Sequence, residues 1–123
     1  MQKLFLLMVS ILLGTSIYAQ SSNDQILGKW TNEDKSRVIE FVKNGSSYDA
    51  VIIKAENASY IGKKQITNLK SDKNNAYKGG TLHVYQKEKT ANCSAKLVSR
   101  TKLELKASVG IMSKSQVWTK VAN

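Results

Sequence analysis

The chain has 123 residues, enough for one domain, and sets 19 Lys plus Arg against 9 Asp plus Glu for a formal charge of +10. So basic a balance points to anionic partners (nucleic acid, lipid headgroups or acidic glycan) and says nothing of the fold. One Cys and one His exclude an intrachain disulfide and the usual three- or four-ligand metal site.

In chain order, Lys3 precedes an apolar run from Leu4 to Val9 and Ile11 to Leu13, and the small residue Ala19 follows. This is the pattern of a secretory signal peptide over residues 1–19, too short for the roughly 20 apolar residues that span a bilayer. The expected mature domain is residues 20–123, soluble, without a transmembrane segment, and periplasmic or secreted. Gln20 to Asn23 offer no thiol for lipid attachment. Export removes nucleic acid from the head of the partner list.

Beyond Gln20 the hydrophobic period is that of strands. Ile26 to Thr31 is the first, and Asn32 to Ser36 a polar turn. Arg37 to Lys43 and Ser47 to Lys54 flank Asn44-Gly45, a pair suited to two successive positive φ angles, which predicts a hairpin. After the polar stretch Ala55 to Lys64 come Gln65 to Lys70, a turn at Ser71 to Ala76, and Gly79 to Tyr85. Past Gln86 to Thr90, Ala91, Cys93, Ala95 and Leu97 alternate with polar residues, as do Leu103, Leu105, Ala107 and Val109. The short link Ser99 to Thr101 makes these two runs an antiparallel hairpin. A turn over Gly110 to Ser115 then leads to Gln116 to Val121.

Eight such strands in sequence predict an all-β fold, a single antiparallel up-and-down barrel whose closure removes exposed edges; a flattened two-sheet sandwich is the alternative. The residues expected to face inward are Ile39, Phe41, Val51, Ile53, Leu82, Val84, Cys93, Ala95, Leu97, Leu103, Leu105, Ala107, Val109, Val117 and Val121. A barrel of this size is either packed solid or holds one small ligand. A cavity of several hundred Å³ would favour the ligand.

Gly28-Lys29-Trp30 resembles the Gly-x-Trp signature that opens lipocalin-like barrels. Gly there permits close backbone approach, and the Trp ring closes one end beneath a cation from the last strand. That resemblance makes Gly28, Trp30, Trp118 and Lys120 the barrel-closing set, with Lys120 the cation. A longer set resembles the small exported bacterial proteins of the domain of unknown function 2147 family. It comprises Ile26 to Trp30, Ile39-Glu40-Phe41 before Asn44-Gly45, Tyr77 to Leu82, Cys93 to Leu97, Val109-Gly110-Ile111, and Val117 to Val121. The resemblance implies an eight-stranded lipocalin-like barrel and no established activity. This chain departs from the family in lacking its proline-bearing insertion, replaced by Ala55 to Lys64, and in ending Trp118-Thr119-Lys120 where Trp-x-Arg is usual.

Catalytic chemistry needs a positioned titratable pair, and none is legible. His83 shares a strand face with Thr81 and Tyr85 and is expected to point to solvent, opposite Leu82 and Val84. Cys93 reads as a small buried residue on the other face. Gly79-Gly80 opens a strand and not the helix a phosphate loop requires. The expectation is a non-enzyme without cofactor or metal. Lys63, Lys64, Lys70, Lys73 and Lys78, with Lys87 and Lys89, lie among Tyr60 and Tyr77. Tyr60, Tyr77, Lys63 and Lys64 are the expected mouth of a site for a small apolar or amphipathic ligand. The other expected partner is an anionic envelope surface, lipid or glycan; lysines that keep strand edges from aggregating account for the same pattern. Oligomeric state is not legible.

Overall fold

The computed structural model describes residues 23–122. The leader assigned to residues 1–19 lies outside the described residues. Eight strands form one closed ring: β1 (Gly28–Thr31), β2 (Val38–Asn44), β3 (Ser47–Lys54), β4 (Lys64–Ser71), β5 (Ala76–Val84), β6 (Lys89–Leu97), β7 (Lys102–Val109) and β8 (Met112–Lys120). Each pairs antiparallel with the next, and β8 returns to β1 at Trp30↔Lys120 and Thr31↔Thr119. The ring is the predicted up-and-down barrel, and closure leaves no long edge for another chain to extend.

In such a barrel alternate connections gather at alternate ends. The β2–β3, β4–β5 and β6–β7 turns share one end with the 3₁₀ turn Asn23–Ile26; the β1–β2, β3–β4, β5–β6 and β7–β8 connections share the other. The first end is packed shut. Ile26, Trp30, Tyr48 and Tyr77 are buried there, and Tyr48 and Tyr77 meet edge to face with centroids 5.6 Å apart. Tyr77 Oη donates to the Asn23 carbonyl at 2.8 Å and Tyr48 Oη to Asp24 Oδ1 at 2.6 Å, so both phenols hold the 3₁₀ turn over the barrel floor. The Tyr48 hydroxyl, then the Lys43 ammonium, hold the Asp24 carboxyl below its ordinary value.

Several expectations are corrected by strand pairing. In β3 the run Ala50-Val51-Ile52-Ile53 is apolar on both faces, so period alone cannot choose between them. Pairing settles it: Phe41↔Ala50 and Ile39↔Ile52 turn Ala50 and Ile52 inward, and Val51 and Ile53 are only half-buried on the outer side. A register shift beside Ile39 leaves Ile53 unpaired on β2. The β2–β3 turn centres on Gly45-Ser46 and not Asn44-Gly45, since Asn44 pairs with Ser47 and Gly45 alone takes positive φ, at 63°. The stretch Gly110 to Ser115 is mostly strand: Val109↔Met112 closes a two-residue turn at Gly110-Ile111, and β8 begins at Met112. That register turns Trp118 inward opposite Leu103 and leaves Val117 46% exposed; Val109 is 64% exposed and Val121 lies past the strand's end.

Two bulges bend the wall. Asn68 on β4 adopts φ 61° and Gly79 on β5 φ 74°, each beside a register shift, and the local twist they add turns the sheet toward closure. The β4 bulge frees the Asn68 N–H from the ladder. Asp49 Oδ1 accepts it at 2.9 Å, and its Oδ2 accepts Asn44 Nδ2 at 2.9 Å and Lys64 Nζ at 2.8 Å. Asp49 is thereby almost wholly buried on the outer side of β3.

Candidate functional site

The open end holds a half-enclosed cavity of about 340 Å³. Leu82, Cys93, Leu105, Ala107 and Trp118 supply its apolar wall; its polar rim includes Asn32, Ser36, Gln65, Gln86 and Gln116, with Arg37, Lys106 and Lys114 set against one acid, Glu56. The pairs Leu105↔Gln116 and Ala107↔Lys114 put these four on one inward face of the β7–β8 ribbon. Their side chains continue the barrel wall above the level where the interior is packed. Burial pushes the Cys93 thiol up to about 11, which keeps it protonated and unreactive at neutral pH.

The rim is pre-organised by Gln65. It sits where β4 slips register against β3, between Ile66 paired with Ala50 and Lys64 paired with Val51. Gln65 Nε2 donates to the His83 carbonyl at 2.6 Å, and its Oε1 accepts from Arg37 Nη1. Arg37 also lies 5.7 Å from the centroid of the Tyr60 ring. A fixed guanidinium at a cavity mouth is a ready partner for a carboxylate or phosphate. The indole N–H of Trp118 is buried with no partner among the described residues, a donor left unused beside the cavity.

The expected mouth residues divide. Tyr77 is not at the mouth: β4–β5 pairing at Ser71↔Tyr77 places it at the sealed end, buried under the 3₁₀ turn. Tyr60, Lys63 and Lys64 stand near the open end but outside the cavity. Tyr60 stacks on Tyr85 with centroids 5.8 Å apart, Lys63 Nζ lies 5.0 Å over the Tyr85 ring, and Lys64 is paired with Asp49. His83 faces outward, yet not into free solvent: Thr67 Oγ1 is 3.1 Å from its Nε2 and Tyr85 stacks on it. Cys93 and His83 occupy opposite faces.

Within the closing set, Lys120 Nζ lies 4.7 Å over the Trp30 ring and donates to the Leu27 carbonyl, while Trp30 Nε1 donates to the Ile26 carbonyl at 2.8 Å. Desolvation lowers the Lys120 pKa from its ordinary value. Gly28 takes φ +114°, and a Cβ there would meet Lys120 Nζ at 2.8 Å. Trp118, two residues before Lys120 on the same face of β8 and in the same core cluster as Trp30, also lines the cavity wall. Gly28→Ala is expected to lower the unfolding free energy by about 2 kcal/mol, read by urea denaturation. In the double variant with Lys120→Ala the clash disappears and the backbone strain remains, so combining the two changes should cost less than the sum of the single effects.

Arg37, Gln65, Lys114 and Gln116 were not legible as site residues. In sequence a polar residue near a strand end reads as solvent-facing, and only the pairing register and the β4 slip turn these four toward the cavity.

Among known proteins, the profile of the family described as "Uncharacterized protein conserved in bacteria (DUF2147)" matches residues 28–120. A solved structure, protein HP1028 from the human pathogen Helicobacter pylori, described as belonging to the lipocalin family, has 19% identity to this chain. Its match has a TM-score of 0.67 and covers 80% of this chain and 84% of that one. At that identity the likeness is one of fold. No curated protein sequence matches.

Proposed function

Since this chain belongs to the DUF2147 family of uncharacterized bacterial proteins and folds as a barrel sealed at one end, we propose that it is a non-enzymatic binding module for a small amphipathic ligand. The observation that carries this is the 340 Å³ open-end cavity, with an apolar wall below and a polar, partly cationic rim above. Its volume falls in the range of small-molecule sites, roughly 300–1,000 Å³. The apolar part of a ligand would lie against Leu105, Ala107 and Trp118, and an anionic or polar head would meet Arg37 and Lys114. Export to the periplasm or beyond belongs to the same proposal and rests on the sequence of residues 1–19.

Filling the cavity tests it. Ala107→Trp is expected to weaken binding of a fluorescent single-chain carboxylate at least about tenfold, with little change in melting temperature because the new ring enters existing space. Equal affinity in the parent and the variant would place the probe elsewhere. Native mass spectrometry of protein purified from its own host is expected to show an adduct; a bare mass in every preparation, with no stabilisation by any amphiphile, would sink the proposal.

A further inference from the structure

Strands β6 and β7 are paired from Leu97↔Leu103 as far as Asn92↔Ser108, although β6 extends to Lys89 and β7 to Val109. Beyond that last pair the β5–β6 and β7–β8 hairpins part, and an apolar cleft of about 640 Å³ opens between them. Val84, Ala91, Val109 and Met112 line it, with Lys87, Lys89 and Lys114 at its borders. At the tip of β7–β8, Ile111 is fully exposed, Met112 is 76% exposed and Val109 64%. Three large apolar side chains within four consecutive residues therefore face water at the apex of a projecting hairpin. Exposed apolar surface of this kind marks an interaction site.

The charges around the apex select the partner. Residues 84–91 and 106–114 carry Lys87, Lys89, Lys106 and Lys114 against one acid, Glu88. Strand rise is about 3.3 Å per residue, which puts Lys114 roughly 10 Å behind Ile111 along the ribbon. An interfacial apolar element sinks about 5–10 Å into the headgroup and acyl boundary. Apolar apex and cationic collar are thus spaced as acyl chains and phosphates are. We propose that the open end of the barrel docks on an anionic phospholipid bilayer, Val109, Ile111 and Met112 entering it and Lys87, Lys89 and Lys114 lying over the phosphate layer.

Docking is independent of what the cavity holds, and its test leaves the cavity untouched. The protein used is the chain from Gln20 onward, because the closed ring and its core lie within residues 23–122 and residues 1–19 would themselves partition into lipid. Vesicle flotation compares phosphatidylcholine alone with phosphatidylcholine containing about a third phosphatidylglycerol. Binding is expected to the anionic vesicles only and to weaken as salt rises. Ile111→Ser with Met112→Ser, and separately Lys87→Gln with Lys89→Gln, none of them a cavity residue, are each expected to weaken it at least about tenfold. All four side chains are at the surface, and unchanged far-UV circular dichroism would confirm that each variant is folded. Tryptophan fluorescence of Ile111→Trp is expected to shift to the blue on anionic vesicles. No flotation with anionic vesicles, or flotation that survives the Ile111 and Met112 changes, would overturn the proposal. So would a concentration-dependent dimer that Ile111→Ser dissolves, which would assign the tip to a second copy of this chain.

Discussion

Trp30→Ala is expected to lower the unfolding free energy by about 4 kcal/mol, the usual cost of emptying a fully buried aromatic site. For a domain of this size that corresponds to a fall in melting temperature of roughly 15–30 °C. The indole has no exposed surface, so its removal leaves a void the surrounding strands cannot fill. It also strands two partners: the Ile26 carbonyl loses its donor, and the Lys120 ammonium, already partly desolvated, loses the ring beneath it. Trp118→Ala should cost distinctly less, about 2 kcal/mol. Its space opens into the cavity, where water can enter, and its N–H has no partner to lose. Thermal and urea denaturation of the two variants side by side provide the check. Equal losses would mean that both ends of the barrel are equally solid, and the asymmetry on which a binding cavity depends would be gone.

That asymmetry was only partly legible in the residues. Lys102–Val109 and Ser47–Lys54 are bounded in the structure as alternation and turn chemistry predict, because a half-buried barrel strand must place apolar residues every second position. Which face is inward is another matter. In Ala50-Val51-Ile52-Ile53 the answer lies in the partner strand, through Ile39↔Ile52, and no local pattern contains it. Met112 to Gln116 carries almost no apolar signal because it lies beyond the packed core and lines a mouth open to water. Its strand character comes from the two-residue turn at Gly110-Ile111 and its pairing with β7. Tyr77 is the opposite case. An aromatic among lysines in sequence reads as surface, yet register puts those lysines outside and the ring under the sealed end. Successive residues of a strand point to opposite faces, as buried Tyr77 and exposed Lys78 do, so adjacency in sequence misleads wherever phase is unknown.

Asp49 carries the second large effect, and it is tied to pH. Its carboxylate is almost wholly buried; desolvation raises its pKa, but the hydrogen bonds from Lys64, from the Asn68 N–H and from Asn44 outweigh that and hold it below its ordinary value. A carboxyl with a depressed folded pKa contributes stability above its unfolded pKa of about 3.9, and the contribution disappears as pH falls through the folded value. Asp49→Ala is therefore expected to cost about 3 kcal/mol near neutral pH, chiefly by leaving the Asn68 N–H of the β4 bulge without an acceptor. Lys64 is half-exposed and recovers its hydration, which keeps the loss at the lower end for a broken buried pair. Urea denaturation repeated from pH 7 down to about 2.5 should show the parent losing stability below about pH 4 more steeply than the variant, so that the two curves converge. Asp24, also held low by Tyr48 and Lys43, remains in both proteins and leaves the variant some acid sensitivity of its own. A gap between the curves that stays constant down to the lowest pH would show that Asp49 acts through packing alone. The β4 bulge would then need another acceptor for its N–H.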